Sequence, residues 1–158
     1  MRNLLQALVN FFLFKCLLFQ NVEIEKLIQK DILTSYDKTS RPSDNVTLSL
    51  RMQLKQIINV NEINQIITTS SYFYVVWNDP RLAWDPADYN STIIIRVQAN
   101  LIWLPDLYVL NTADSNGFIL STISNSNYGY VLANGNVCLG IGLFALNTRC
   151  SININKVR

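Results

Sequence analysis

The stretch VTLSLRMQLK, residues 46–55, decides the fold. Val46, Leu48, Leu50, Met52 and Leu54 alternate with Thr47, Ser49, Arg51, Gln53 and Lys55 without a break. Successive strand residues point to opposite faces, so this alternation predicts a half-buried β-strand, one face on a core and the other in water. Downstream the pattern stays strand-like. Residues 63–77 are rich in Ile, Thr, Tyr, Phe, Val and Trp, and TIIIRVQ at 92–98, LYVLN at 107–111 and CSININ at 150–155 read as further strands. FILSTI and YGYVL flank a serine- and asparagine-rich loop, while ADSNG at 113–117 and ANGN at 133–136 read as turns. The segment WNDPRLAWDPADYN, residues 77–90, is a turn-rich link punctuated by Pro80 and Pro86. Upstream, VEIEKLIQKDILT at 22–34 places Ile24, Leu27, Ile28 and Ile32 at helical spacing and predicts one short amphipathic helix. A polar connector with Pro42 separates it from the first strand.

One helix followed by many short strands indicates an all-β fold, an antiparallel sandwich or barrel of one domain. The length, 158 residues, suits a single domain. CSININKVR stops in mid-strand, so the sandwich is expected to be incomplete at its C-terminus, a piece of a larger fold.

Composition excludes several classes. With 49% hydrophobic and 15% charged residues the chain is too apolar for disorder. A formal charge of +2 without a basic stripe argues against nucleic acid as a partner. The absence of histidine removes the Ser-His-Asp and Cys-His nucleophiles, the imidazole base and His-containing zinc sites. No Gly-rich phosphate loop is present, and no metal or cofactor is implied. Asp79, Asp85, Asp88 and Asp106 sit in Pro- or Trp-rich turns, where carboxylates fix bends by accepting backbone N–H bonds more often than they do acid–base chemistry. The chain does not read as an enzyme.

Residues 1–20 carry Arg2 and then an apolar stretch broken by Gln6, Asn10 and Lys15. They read as a signal peptide, with a buried amphipathic helix as the alternative. Removing them takes away two positive charges and Cys16, leaving Cys138 and Cys150. Those two have the option of pairing with each other or with partners outside this sequence. The sequons at Asn45 and Asn90 fit a secretory route and glycosylation. Residues 21–158 form the domain.

The aromatics gather near two strand ends. Trp77, Trp84 and Trp103 suit core corners, each burying a large area. Tyr72 and Tyr74 share the strand face opposite Phe73 and Trp77, so one of these faces looks outward. Aromatic faces hold cations through their quadrupole.

The ordered set Tyr36-Asp37-Lys38, Arg41-Pro42, QIINVNEINQIITT at 56–69, Trp77, Asp79, Arg81-Leu82, Trp84, Pro86, Tyr89, Trp103, Pro105-Asp106, Asn111 and Ala113-Asp114 resembles the extracellular domain of Cys-loop ligand-gated ion channels. The nicotinic acetylcholine receptor subunits are the nearest flavour. The resemblance covers residues 23 to about 155. It implies an N-terminal helix followed by a β-sandwich, assembled with other subunits into a pentamer at the outer face of the plasma membrane, at synapses. A small acetylcholine-like neurotransmitter then binds in an aromatic box between neighbours and gates a cation pore in a membrane portion outside this sequence.

By that resemblance Trp77, Asp79, Trp84, Pro86, Pro105 and Asp106 are structural corners. Trp103 opens the first loop of the principal face, and the agonist-contacting tyrosine of that loop falls on Leu110. On the complementary face Tyr72 stands where TTNxW carries tryptophan, with Tyr74 on the same surface, and the second strand of that face runs through Tyr130 and Leu139. Cys150 resembles the first cysteine of the signature loop, whose partner lies outside this chain. Two alternatives stay open beside the receptor subunit: a secreted pore-less binding or assembly-modulating sandwich, and a non-functional truncated product.

Overall fold

The computed structural model describes residues 22–114 and 128–151. Helix α1 (Val22–Leu33) carries Glu23 and Glu25 in its first turn and Lys30 in its last, each favourable to the helix dipole. Its Ile24, Ile28 and Ile32 recur every four residues and face the core, with Ile28 fully buried. Leu27, expected on that same side, is instead about half exposed (48%). One position along a helix turns the side chain by some 100°, enough to carry it off the stripe.

Five strands follow: β1 (Ser49–Asn61), β2 (Ile66–Asn78), β3 (Ile94–Gln98), β4 (Tyr128–Leu132) and β5 (Asn136–Arg149). They form one antiparallel sheet in the order β1-β2-β5-β4-β3. With α1, this is the helix-plus-antiparallel-sheet architecture expected from the sequence. The 77–90 link folds into two 3₁₀ turns, Pro80–Leu82 and Pro86–Tyr89. Asp79 and Asp85 cap them, accepting from the backbone N–H of Arg81 and Ala87. The ANGN turn closes the β4–β5 hairpin. Gly135 has φ 81°, and a Cβ there would meet the Asp79 carbonyl oxygen at 2.5 Å, so only glycine fits.

Residues directly opposite in an antiparallel pair lie on one face of the sheet. Phe73, Val75 and Trp77 of β2 stand opposite Ile141, Leu139 and Val137 of β5; Val131 of β4 and Ile95 of β3 continue the row. All are buried. Ile28, Leu82, Ala99 and Ile102 close over them, with Trp84, Trp103 and Leu104 packed against the cluster. Trp103 meets Trp77 edge-on, ring centroids 6.1 Å apart.

Three expectations are corrected. The opening stretch forms a strand, but it starts at Ser49, runs to Asn61, and is not half-buried: its residues through Val60 are exposed on both faces. Leu50, Met52, Leu54, Ile57 and Val60 pair with Val75, Phe73, Ser71, Thr69 and Ile67, so they prolong the core face. β1 is the sheet edge, and among the described residues nothing covers that end. Second, 107–111 is not a strand. Tyr108 makes an isolated bridge, and the continuation bridges the sheet from Thr112 to Thr148. Third, Cys150 and Ser151 follow the end of β5 outside any strand. The remainder of CSININ, the FILSTI segment and residues 1–20 lie outside the described residues.

The opposite edge is shielded by side chains. At β3 the Arg96 N–H donates to Glu25 Oε1 and the Arg96 carbonyl accepts from Gln29 Nε2, both from α1.

Candidate functional site

The face of the sheet opposite the core is built by the same register. Tyr74 stands opposite Arg51 of β1 and Gly140 of β5; Tyr72 stands opposite Gln53. Cys138 stands opposite Val76 and Tyr130, and Tyr130 opposite Arg96. Tyr128 shares this face two residues from Tyr130. The outcome is a tyrosine surface with small residues between the rings.

Tyr72 and Tyr74 form a tilted pair with centroids 4.6 Å apart and planes at 41°. Tyr72 lies across Gly140. Partial burial raises the Tyr72 phenol above its ordinary pKa, helped by Tyr74, Cys138 and Tyr130 nearby, and burial likewise raises the Cys138 thiol. Both groups are therefore neutral at physiological pH, and the surface presents ring faces rather than anions. None of the five strands contains an aspartate or glutamate. On the strands themselves a cation is held by ring quadrupoles. The surface already does so internally, for the Arg96 guanidinium stacks on Tyr128 at 4.4 Å.

The other expected site residues lie apart from this surface. Leu139 is fully buried in the core. Strand alternation turns Cys138 and Gly140, its neighbours, to the tyrosine face, so Leu139 is corrected to a packing residue. Trp103 is half-buried against Trp77, and its backbone N–H donates to the Tyr36 hydroxyl. Leu110 is 91% exposed on the loop that follows. That loop bonds to the C-terminal end of β5: the Arg149 N–H donates to the Asn111 carbonyl and the Ala113 N–H to the Asn147 carbonyl.

A second cluster anchors the corners. Asp79 is buried and bonded to Arg81 Nε and Nη2, at 2.9 and 2.8 Å, and to the Tyr36 hydroxyl at 2.7 Å. Arg81 also stacks on the Tyr36 ring. Burial pushes the Asp79 carboxyl up, but the Arg81 and Tyr36 hydrogen bonds outweigh it and hold the carboxyl below its ordinary value. Trp84 donates its indole N–H to the Thr92 carbonyl, Pro105 is buried and Asp106 exposed. Asn45 and Asn90 are exposed, Asn90 in a left-handed conformation closing its 3₁₀ turn. Cys138 and Cys150 are free thiols and do not pair with each other.

Arg51, Tyr128, Cys138 and Gly140 escaped the sequence reading as site residues. The alternation in VCLGIG at 137–142 was the available signal, masked by its two glycines, which are unusual inside a strand.

Residues 25–156 match the family described as the neurotransmitter-gated ion-channel ligand binding domain. Acetylcholine receptor subunit alpha-1-A of Xenopus laevis is 38% identical over 114 residues, 70% of this chain and 25% of the relative. Acetylcholine receptor subunit alpha-type unc-38 of Caenorhabditis elegans is 36% identical, covering 67% and 22% respectively. Human neuronal acetylcholine receptor subunit alpha-4 is 39% identical over 94 residues, 57% of this chain and 15% of the relative. The chain spans about a quarter or less of the length of these relatives.

Proposed function

The chain belongs to the neurotransmitter-gated ion-channel ligand-binding domain family, and from that premise we propose that its tyrosine face is one wall of a site for a quaternary-ammonium transmitter such as acetylcholine. The observation that carries this reading is the Tyr72–Tyr74 pair, Tyr74 exposed and Tyr72 half-buried, on strands without aspartate or glutamate, where ring faces attract a cation. Such a site is incomplete on one chain. Several rings must surround the ammonium group, so the remaining ones come from a neighbouring subunit in the assembled receptor, of which this chain is the extracellular part. Leu110 supplies no ring from the other loop. The chain therefore serves best as the complementary side of the interface, its neighbour providing the principal side. Tyr130 extends the same wall. Exposed sequons at Asn45 and Asn90 accord with a position outside the cell. Gating of cation flux by the site belongs to the longer receptor.

The test is a titration of the chain, with tyrosines isotopically labelled, by acetylcholine and by 3,3-dimethylbutyl acetate, its neutral isostere. The Tyr72 and Tyr74 ring resonances are expected to shift saturably with acetylcholine, with a Kd on the order of 1 mM for half a site, about −4 kcal/mol. They are expected to stay put with the isostere, and Tyr72→Ala is expected to abolish the response. Equal shifts with both compounds, or none with acetylcholine, would exclude the reading.

A further inference from the structure

Asn147 lies near the end of β5 on the tyrosine face, directly opposite Thr68 of β2. Its side chain is used at both ends. The Asn147 carbonyl oxygen Oδ1 accepts from Thr68 Oγ1 at 2.8 Å, and its Nδ2 donates to Asp114 Oδ1 at 3.0 Å. The main chain adds to this, for the Asn147 carbonyl accepts from the Ala113 N–H at 2.8 Å. Asp114 is fixed in turn by its own N–H, which donates to Thr112 Oγ1. One amide thus spans the loop that carries Leu110 and the strand that carries Tyr72 and Tyr74. Thr68 is on the same strand and face as the tyrosine pair, four and six residues away. No other side chain among the described residues bonds both that loop and β2.

We infer that Asn147 is a positioning residue whose side-chain amide, together with the loop's main-chain bonds to β5, registers the 109–114 loop against β2 and so links the two surfaces this chain offers to its neighbours. An amide is the chemistry required. It accepts from a hydroxyl on one side and donates to a carboxylate on the other, which neither an acid nor a base alone can do. The inference about function rests on the reading of the tyrosine face given above; the structural link does not.

The experiment is a reciprocal swap in the full chain. Asn147→Asp keeps the bond from Thr68 but sets a carboxylate against Asp114, and Asp114→Asn in the same chain restores a donor–acceptor pair with the roles exchanged. Backbone resonances of 110–114 and of β2 from Thr68 to Tyr72 are expected to move together in Asn147→Asp and to return together in the double variant. The acetylcholine titration of the Tyr72 ring is expected to weaken about threefold and then recover. A loop perturbation that leaves β2 unmoved, or a double variant that recovers nothing, overturns the inference. Should Asn147→Asp fail to fold, Thr68→Val and Asp114→Asn singly decide. Each is expected to shift the other's resonance through Asn147, and purely local effects overturn it. A wild-type chain insensitive to acetylcholine sinks the transmitter reading, while the resonances still settle the role of Asn147.

Discussion

A Cβ on Gly140 would come within 2.8 Å of the Tyr72 phenolic oxygen and 3.5 Å of its ring. The strand is glycine here because a ring rests on it. The backbone of Gly140 is not in the left-handed region, so Gly140→Ala strains only the contact. The far end of a flexible side chain is what moves. The variant is expected to keep its stability within about 1 kcal/mol, as read by urea unfolding, while shifting the Tyr72 ring resonance and breaking the 4.6 Å stack with Tyr74. An unmoved Tyr72 ring would show that the contact is not what positions it.

Tyr36 joins three elements through one hydroxyl: it donates to Asp79 and accepts from the Trp103 N–H at 2.9 Å and from Arg81 Nη2 at 3.2 Å. Tyr36→Phe leaves the ring and its stacking on Arg81 in place but strands the Trp103 N–H and takes from the buried Asp79 Oδ2 one of its two donors, the other being Arg81 Nη2. Leaving such groups unsatisfied costs about 1–3 kcal/mol. Urea unfolding at pH 7 is expected to show a loss of that size, and a loss below about 0.5 kcal/mol would mean that water replaces the hydroxyl.

The same cluster sets an acid limb. The folded-state pKa of Asp79 lies below its unfolded value, so its contribution is fully present above the unfolded value, about 3.9, and is lost as pH falls through the folded one. Wild-type stability is expected to decline below about pH 4 for this reason. Asp79→Asn, which loses the Arg81 ion pair, is expected to be less stable than wild type at pH 7, with the gap narrowing as pH falls through that range. Parallel stability curves from pH 7 to pH 2 would remove Asp79 from the acid transition.

Much of this was legible in the sequence, and the reasons differ by element. The helix and the β1–β2 region carry their periods openly, and the corner aspartates sit before Pro80 and Pro86 where caps belong. The tyrosine face was half legible. Alternation separates Tyr72 and Tyr74 from Phe73, but only the register tells which pair faces out. Leu139 falls on the core face rather than the expected one because a slip of one residue inverts every side chain of a strand. The 107–111 segment has strand composition yet forms no strand among the described residues: Tyr108 makes an isolated bridge, and the rest meets β5 through Asn111, Ala113 and the Thr112–Thr148 bridge. Composition reports what a residue would do beside a neighbour, not whether the neighbour is there. β1 makes the same point from the other side: its alternation is real, and the apolar row it predicts lies bare.

That row has a consequence in solution. Met52 and Leu54 are 53% and 50% exposed on an edge strand, a surface that invites pairing. Leu54→Lys is expected to lower self-association of the isolated chain, measured by sedimentation at increasing concentration. Thermal stability is expected to change by less than about 1 kcal/mol, because little burial is lost. A variant that associates as strongly as wild type would place the contact elsewhere.

Arg51 tests the electrostatics of the tyrosine wall. It stands directly opposite Tyr74, and no acid on the sheet offsets it. A bound ammonium group near the ring would sit several ångströms from this guanidinium, and in water that repulsion amounts to about 0.5–1 kcal/mol. Arg51→Gln is therefore expected to tighten acetylcholine binding by about two- to fivefold at low salt. The advantage should fade as ionic strength rises and the Debye length shrinks to about 8 Å near 0.15 M. The neutral isostere should show no such difference between the two proteins. If wild type and variant titrate alike at every salt concentration, the cation does not rest beside Tyr74.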